Sequence, residues 1–176
     1  MSTPIRVVIV DDQELLRAGL RPLAERDGDI VVVGEAADGR AGLSLTRELS
    51  PEVVLMDIRM PVLDGIAATR EIAGDPALNG VRVLILTTFD EDENVFEAVR
   101  GGASGYLLKD VSPEDLRAAI RTVAAGDALL SPAVTATVMR AVADRTVTDA
   151  SPLEGLTGRE RDILTLIGRG RTNDEI

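Results

Sequence analysis

The chain has 176 residues, 45% of them hydrophobic and only 2% aromatic, so it can fill one full domain core plus a smaller piece, built from Val, Ile, Leu and Ala. It contains no Cys and no His, which excludes thiolate or imidazole zinc sites, Ser-His and Cys-His nucleophile pairs, and any phosphohistidine formed on this chain. A formal charge of −11 repels nucleic acid over the bulk of the surface, and with neither an apolar run of membrane-spanning length nor a secretory layout at the N-terminus, a soluble cytoplasmic protein without membrane contact is expected.

Residues 5–10 form a continuous apolar, β-branched run ended by Asp11 and Asp12, as expected of a strand buried on both faces of a parallel sheet. Residues 13–26 read as an amphipathic helix, with Leu15, Leu16, Leu20, Leu23 and Ala24 on one face and Arg17, Arg21, Glu25 and Arg26 mostly on the other; Asp27-Gly28-Asp29 stops it. The alternation continues with strands at 30–36, 53–57, 81–87 and 105–108 and helices at 39–49, 65–73, 93–100 and 113–125. Five strands alternating with helices predict an α/β fold, an open doubly wound five-stranded parallel sheet rather than a closed barrel.

Ser112 before Pro113 makes a good helix start and Gly126-Asp127 a stop, so the first domain is expected to span residues 1–126. A linker over 127–155 holds a helix at about 132–143, opened by Ser131-Pro132. Its remainder, rich in Thr, Asp, Ala, Ser and Pro, lacks an apolar period. Residues 156–176 carry one more helical unit and, at Thr172-Asn173-Asp174-Glu175-Ile176, the first turn of another. So short a piece cannot bury a core alone.

In an open α/β sheet, ligands bind beyond the carboxyl ends of the strands where the strand order reverses. With the order 2-1-3-4-5, the reversal falls between the strands that end at Asp11-Asp12 and at Asp57, which brings three carboxylates to one crevice. Like charges about 4 Å apart cost about 4 kcal/mol per pair at an effective dielectric near 20, so the cluster needs a cation. Mg²⁺ suits it, being a hard ion that takes oxygen ligands. The plainer alternative is that Asp11 and Asp12 only cap the following helix. The next strand ends at Thr87-Thr88, and Lys109, the only lysine in the chain, follows the last one. A hydroxyl and a compact point charge beside a metal make a phosphoryl site, although a solvated strand-end lysine would look the same. Met60-Pro61 and Asp64-Gly65 read as structural, Asp64 capping the third helix and the loop shaping the surroundings of Arg59.

The ordered set Val10-Asp11-Asp12, Met56-Asp57-Ile58-Arg59-Met60-Pro61-Val62-Leu63-Asp64-Gly65, Leu86-Thr87-Thr88 and Gly105-Tyr106-Leu107-Leu108-Lys109-Asp110 resembles a response-regulator receiver domain of two-component systems, a flavodoxin-like fold. The resemblance implies that Asp57 takes a phosphoryl group from the phosphohistidine of a sensor histidine kinase. It also implies that Asp11, Asp12, Asp57 and the backbone carbonyl of Arg59 hold Mg²⁺, and that Thr87 and Lys109 bind the phosphoryl oxygens. Tyr106 matches an aromatic switch position coupled to Thr87; a half-buried strand aromatic with a solvated hydroxyl is the other reading. Arg59 and Phe89 fall where such domains tune the lifetime of the phosphate. Such a protein is no turnover enzyme, though it slowly loses its own phosphate.

Ser131-Pro132-Ala133-Val134, Leu156-Thr157-Gly158-Arg159-Glu160 and Arg171-Thr172-Asn173-Asp174-Glu175-Ile176 are similar to the linker helix and the start of a LuxR-type helix-turn-helix in the NarL/FixJ subfamily. That implies transcription regulation through a homodimer formed on phosphorylation. DNA contact would come only through a C-terminal recognition helix, and the chain stops before it, so this stretch is expected not to bind an operator by itself. Two other functions stay open. One is a stand-alone receiver acting through protein contacts. The other is a Mg²⁺-dependent aspartyl-phosphate phosphatase of the haloacid dehalogenase type, whose pattern of a second Asp two residues after the nucleophile is not met at Asp11-Asp12-Gln13.

Overall fold

The structure, a computed structural model, describes residues 2–88, 92–130 and 132–146. The strands are β1 (Ile5–Val10), β2 (Ile30–Ala36), β3 (Val53–Met56), β4 (Arg82–Thr87), β5 (Gly105–Leu108) and β6 (Leu129–Leu130). The helices are α1 (Glu14–Glu25), α2 (Gly39–Leu49), α3 (Gly65–Gly74), α4 (Asp92–Arg100), α5 (Pro113–Ala124) and α6 (Pro132–Thr146). All neighbouring strands pair in parallel, in the order β2-β1-β3-β4-β5-β6.

Side chains alternate between the two faces of each strand, and both faces are covered. Val7 and Ile9 of β1 and Val53 and Leu55 of β3 lie in one apolar cluster with Ala24 of α1 and Leu116, Ile120 and Val123 of α5. Val8, Val10, Val54 and Met56 lie in the other, with Leu43 of α2, Ile72 of α3, Val95 of α4 and Val134 and Val138 of α6. Because both faces are buried, the strands read as unbroken apolar runs rather than as alternating ones.

The sheet has six strands where the apolar runs of the sequence predict five. Leu129 and Leu130 pair with Gly105 and Tyr106, and the Leu129 N–H donates to the Ser104 carbonyl at 3.1 Å. A two-residue strand has no periodicity to read; what recruits it is the row of unpaired backbone groups along β5. Gly126, at φ 94°, turns the chain back toward that edge. Leu129, Leu130, Val134 and Val138, all beyond this turn, are buried in the two clusters. Helix α6 runs three residues past the expected end at 143 and lies against α4.

The apolar stripe assigned to α1 also needs correction. Leu15 is 87% exposed and Leu23 is exposed as well; the helix packs through Leu20 and Ala24 instead. This rotation turns Arg17 inward, so that its side chain is only 14% exposed. None of the described helices is long and apolar enough to cross a membrane. Residues 147–155 of the expected linker, the helix-turn-helix start at 156–176, and Phe89 lie outside the described residues.

Candidate functional site

The strand order reverses between β1 and β3, and the chain continues there into Asp11 and Asp57. The ladder reaches one step past the strands: the Asp57 N–H donates to the Val10 carbonyl at 2.9 Å and the Asp11 N–H to the Ala36 carbonyl at 3.0 Å. Two acidic residues are thus held at fixed heights at the carboxyl edge of the sheet, the position at which such folds bind ligands. Carboxylate oxygens of Asp11, Asp12 and Asp57 all lie within 4.8 Å of one another. Asp11 and Asp57 are buried; Asp12 is exposed.

Lys109, just past β5, brings its ammonium to this edge, 2.6 Å from Asp11 Oδ2 and 3.3 Å from Asp57 Oδ1. Its backbone is fixed by its own N–H, which donates to the Thr87 carbonyl at 2.8 Å. Asp11 Oδ1 accepts from the Gln13 N–H at 2.8 Å. Burial pushes the Asp57 carboxyl above its ordinary pKa, the neighbouring Asp11 charge adds to the shift, and Lys109 opposes it. Three carboxylates and one ammonium leave a formal charge of about −2, which a divalent cation with oxygen ligands would balance. The donor set fits such an ion.

The loop after Asp57 closes tightly under it. Asp64 accepts from the Ala67 N–H at 2.9 Å, capping α3 as its residue type and position predict. The Gly65 N–H donates to the Ile58 carbonyl at 2.9 Å, and a β-carbon on Gly65 would stand 1.8 Å from the Asp57 carbonyl oxygen. In the same loop the Leu63 N–H donates to the Pro61 carbonyl at 2.8 Å, a γ-turn around Val62 at φ 70°.

Of the residues singled out from sequence, Asp11, Asp12, Asp57 and Lys109 come together. Thr87 is buried at the end of β4, with its backbone carbonyl tied to Lys109. The Arg59 side chain is exposed two residues after Asp57. Tyr106 is fully buried rather than half-buried, its strand lying between β4 and β6. Sequence reasoning missed Arg17 and Glu35. Arg17 donates to the Asp11 carbonyl at 2.5 Å, and Glu35 stands 3.4 Å from the Arg17 Nε. The available signal was a helix start with no good capping residue, Gln13, followed by an arginine one turn on.

Residues 7–121 match the response regulator receiver domain, and the chain belongs to the two-component response regulators of the NarL/LuxR family. It is 37% identical over 173 residues to the nitrate/nitrite response regulator protein NarL of Escherichia coli, covering 98% of this chain and 79% of that protein. It is 41% identical over 172 residues to the transcriptional regulatory protein LiaR of Bacillus subtilis, covering 98% of this chain and 80% of that one. A crystal structure of a LuxR-family two-component response regulator from an Aurantimonas species superposes with a TM-score of 0.72 at 36% identity, over 83% of this chain and 99% of that one.

Proposed function

We propose that Asp57 is the phosphoacceptor of this receiver. Asp11, Asp12, Asp57 and the backbone carbonyl of Arg59 would hold Mg²⁺, and Thr87 and Lys109 would bind the phosphoryl oxygens. The observation that carries this reading is a buried carboxylate, Asp57, standing at the strand-order reversal with two further carboxylates within 4.8 Å and an ammonium at 3.3 Å. A carboxylate oxygen of Asp57 attacks the phosphorus of a phosphohistidine on a partner sensor histidine kinase. The new P–O bond forms as the P–N bond breaks, and the imidazole leaves with the electron pair and takes up a proton. Mg²⁺, when bound, supplies positive charge against the phosphoryl oxygens. Lys109 adds a second cation and the Thr87 hydroxyl a hydrogen-bond donor.

Phosphorylation then biases a two-state domain through Thr87 and Tyr106, promoting a homodimer that regulates transcription through a C-terminal DNA-binding unit. The similarity to NarL and LiaR over nearly the whole chain supports this output. The reading carries a cytoplasmic setting and no steady turnover; the acyl phosphate is lost slowly to water, at a rate that Arg59 and Phe89 tune.

The test is intact-mass spectrometry after incubation with a small phosphodonor and Mg²⁺. One added phosphoryl group is expected on the wild type and none on Asp57→Ala. Undiminished labelling of that variant would move the site elsewhere.

A further inference from the structure

The path from β1 into α1 is held in an unusual way. The N-cap position is Gln13, which makes no side-chain cap, so the turn carrying Asp11 and Asp12 lacks the anchor that a Ser, Thr, Asp or Asn provides at a helix start. Arg17 takes over. From the first turn of α1 its Nη1 reaches back and donates to the Asp11 carbonyl oxygen at 2.5 Å. That oxygen belongs to the Asp11-Asp12 peptide, so fixing it fixes the plane from which the Asp12 side chain departs.

The guanidinium is itself anchored from the sheet. Glu35 of β2, in register with Ile9 of β1, places one oxygen 3.4 Å from the Arg17 Nε and accepts from the Arg21 Nε at 2.7 Å with the other. Arg21 in turn donates to the Val32 carbonyl at 3.1 Å. The Arg17 Nε is buried and has an ion pair but no aligned hydrogen bond.

We infer that Arg17 is a positioning residue of the cation site: it orients the Asp11-Asp12 peptide, and through it the carboxylates that would meet Mg²⁺. The inference rests on the proposed phosphoacceptor reading and adds to it a residue outside the ligand set. Asp11 is then held at four points: its N–H on Ala36, its carbonyl on Arg17, Oδ1 on Gln13 and Oδ2 on Lys109. Asp12 has no carboxylate hydrogen bond or ion pair of its own among those of the described residues, and relies on the peptide before it.

Charge and position make opposite demands, which gives the test its sign. Arg17 is a cation close to a cation site, so by charge alone its removal tightens Mg²⁺ binding; by position its removal loosens it. Calorimetric titration of Mg²⁺ into the full chain would be compared for wild type, Arg17→Met and Arg17→Lys, together with urea midpoints in EDTA. Arg17→Met is expected to weaken binding by about tenfold, the lower end of what loss of an outer-shell partner does. Arg17→Lys keeps the charge but not the forked donor, and is expected to weaken binding as well.

Equal or tighter binding by Arg17→Met, or a lowered urea midpoint with Mg²⁺ affinity unchanged in both variants, would overturn the role. Should Arg17→Met fail to fold, Arg17→Lys alone decides. Failure of the wild type to bind Mg²⁺ would instead overturn the site reading, and this inference with it.

Discussion

The Lys109 ammonium donates to Asp11 at 2.6 Å and stands 3.3 Å from Asp57. That ammonium is therefore committed mainly to Asp11, and Asp57 keeps a buried charge that is only partly offset. Folding raises the Asp57 pKa, so the sign is fixed: above the folded value its charge costs stability, and the cost is relieved as pH falls through that value. Asp57→Asn is expected to raise the stability of the metal-free protein at pH 7 by about 1–2 kcal/mol, measured as a urea midpoint in EDTA. Saturating Mg²⁺ is expected to narrow the gap, since it stabilises the wild type more. A variant less stable than wild type in EDTA would mean that Lys109 outweighs burial.

Gly65 is under the opposite kind of constraint. A β-carbon placed on it would lie only 1.8 Å from the Asp57 carbonyl oxygen, so Gly65→Ala must displace backbone, not a flexible side chain. Destabilisation of about 3 kcal/mol or more is expected by chemical denaturation, with phosphoryl uptake falling because the displaced peptide belongs to Asp57. A midpoint within experimental error of wild type would show that the β3–α3 loop yields freely.

Val62 offers the reverse outcome. It is 82% exposed and sits at φ 70° inside a γ-turn, a conformation costly for a β-branched residue and free to glycine. Relief of strain exceeds the entropy that glycine adds to the unfolded chain, so Val62→Gly is expected to stabilise by about 1 kcal/mol. Thermal unfolding reads this directly; a lower midpoint would mean that the valine side chain makes a contact worth more than its strain.

Acid sensitivity is expected from the far side of the domain. The Arg121 guanidinium of α5 donates to Asp27 at 2.8 Å and to Asp29 at 2.7 and 3.0 Å, tying α5 to the turn between α1 and β2. It holds both carboxyls below their ordinary range. Depressed acids stabilise above their unfolded pKa, and the benefit is lost as pH falls from about 4 toward the lower folded values. Arg121→Met is therefore expected to flatten the melting temperature against pH below about 4, and added salt to do so partially, since these groups are exposed. An unchanged acid limb in the variant would place the sensitivity in other carboxylates.

Much of the site was legible because its residues sit at the ends of long apolar runs. Asp11 and Asp57 directly follow β1 and β3, Thr87 ends β4, and the only lysine of the chain follows β5. Caps announced themselves too: Asp64 and Ser112 accept from the Ala67 and Asp115 N–H groups as their residue types suggest. The misreadings have physical causes. Leu15 completes an apolar stripe on a helical wheel, but α1 packs through Leu20 and Ala24 and turns Arg17 toward Asp11, and a wheel carries no information about what lies beyond the helix end. β6 escaped because two residues cannot display a period, and its pairing is decided by the edge that β5 presents.

That sixth strand has a mechanical consequence. By adding to β5 before α6 begins, it makes α6 leave the sheet from the side of α4. The helix is 15 residues long, about 22 Å at the usual rise, and it is rooted where Tyr106 and Leu130 pair. Its root is the strand that also delivers Lys109, and along its length Val134 and Val138 are buried in the core on the side of α4, so α6 cannot tilt at that root without repacking this face.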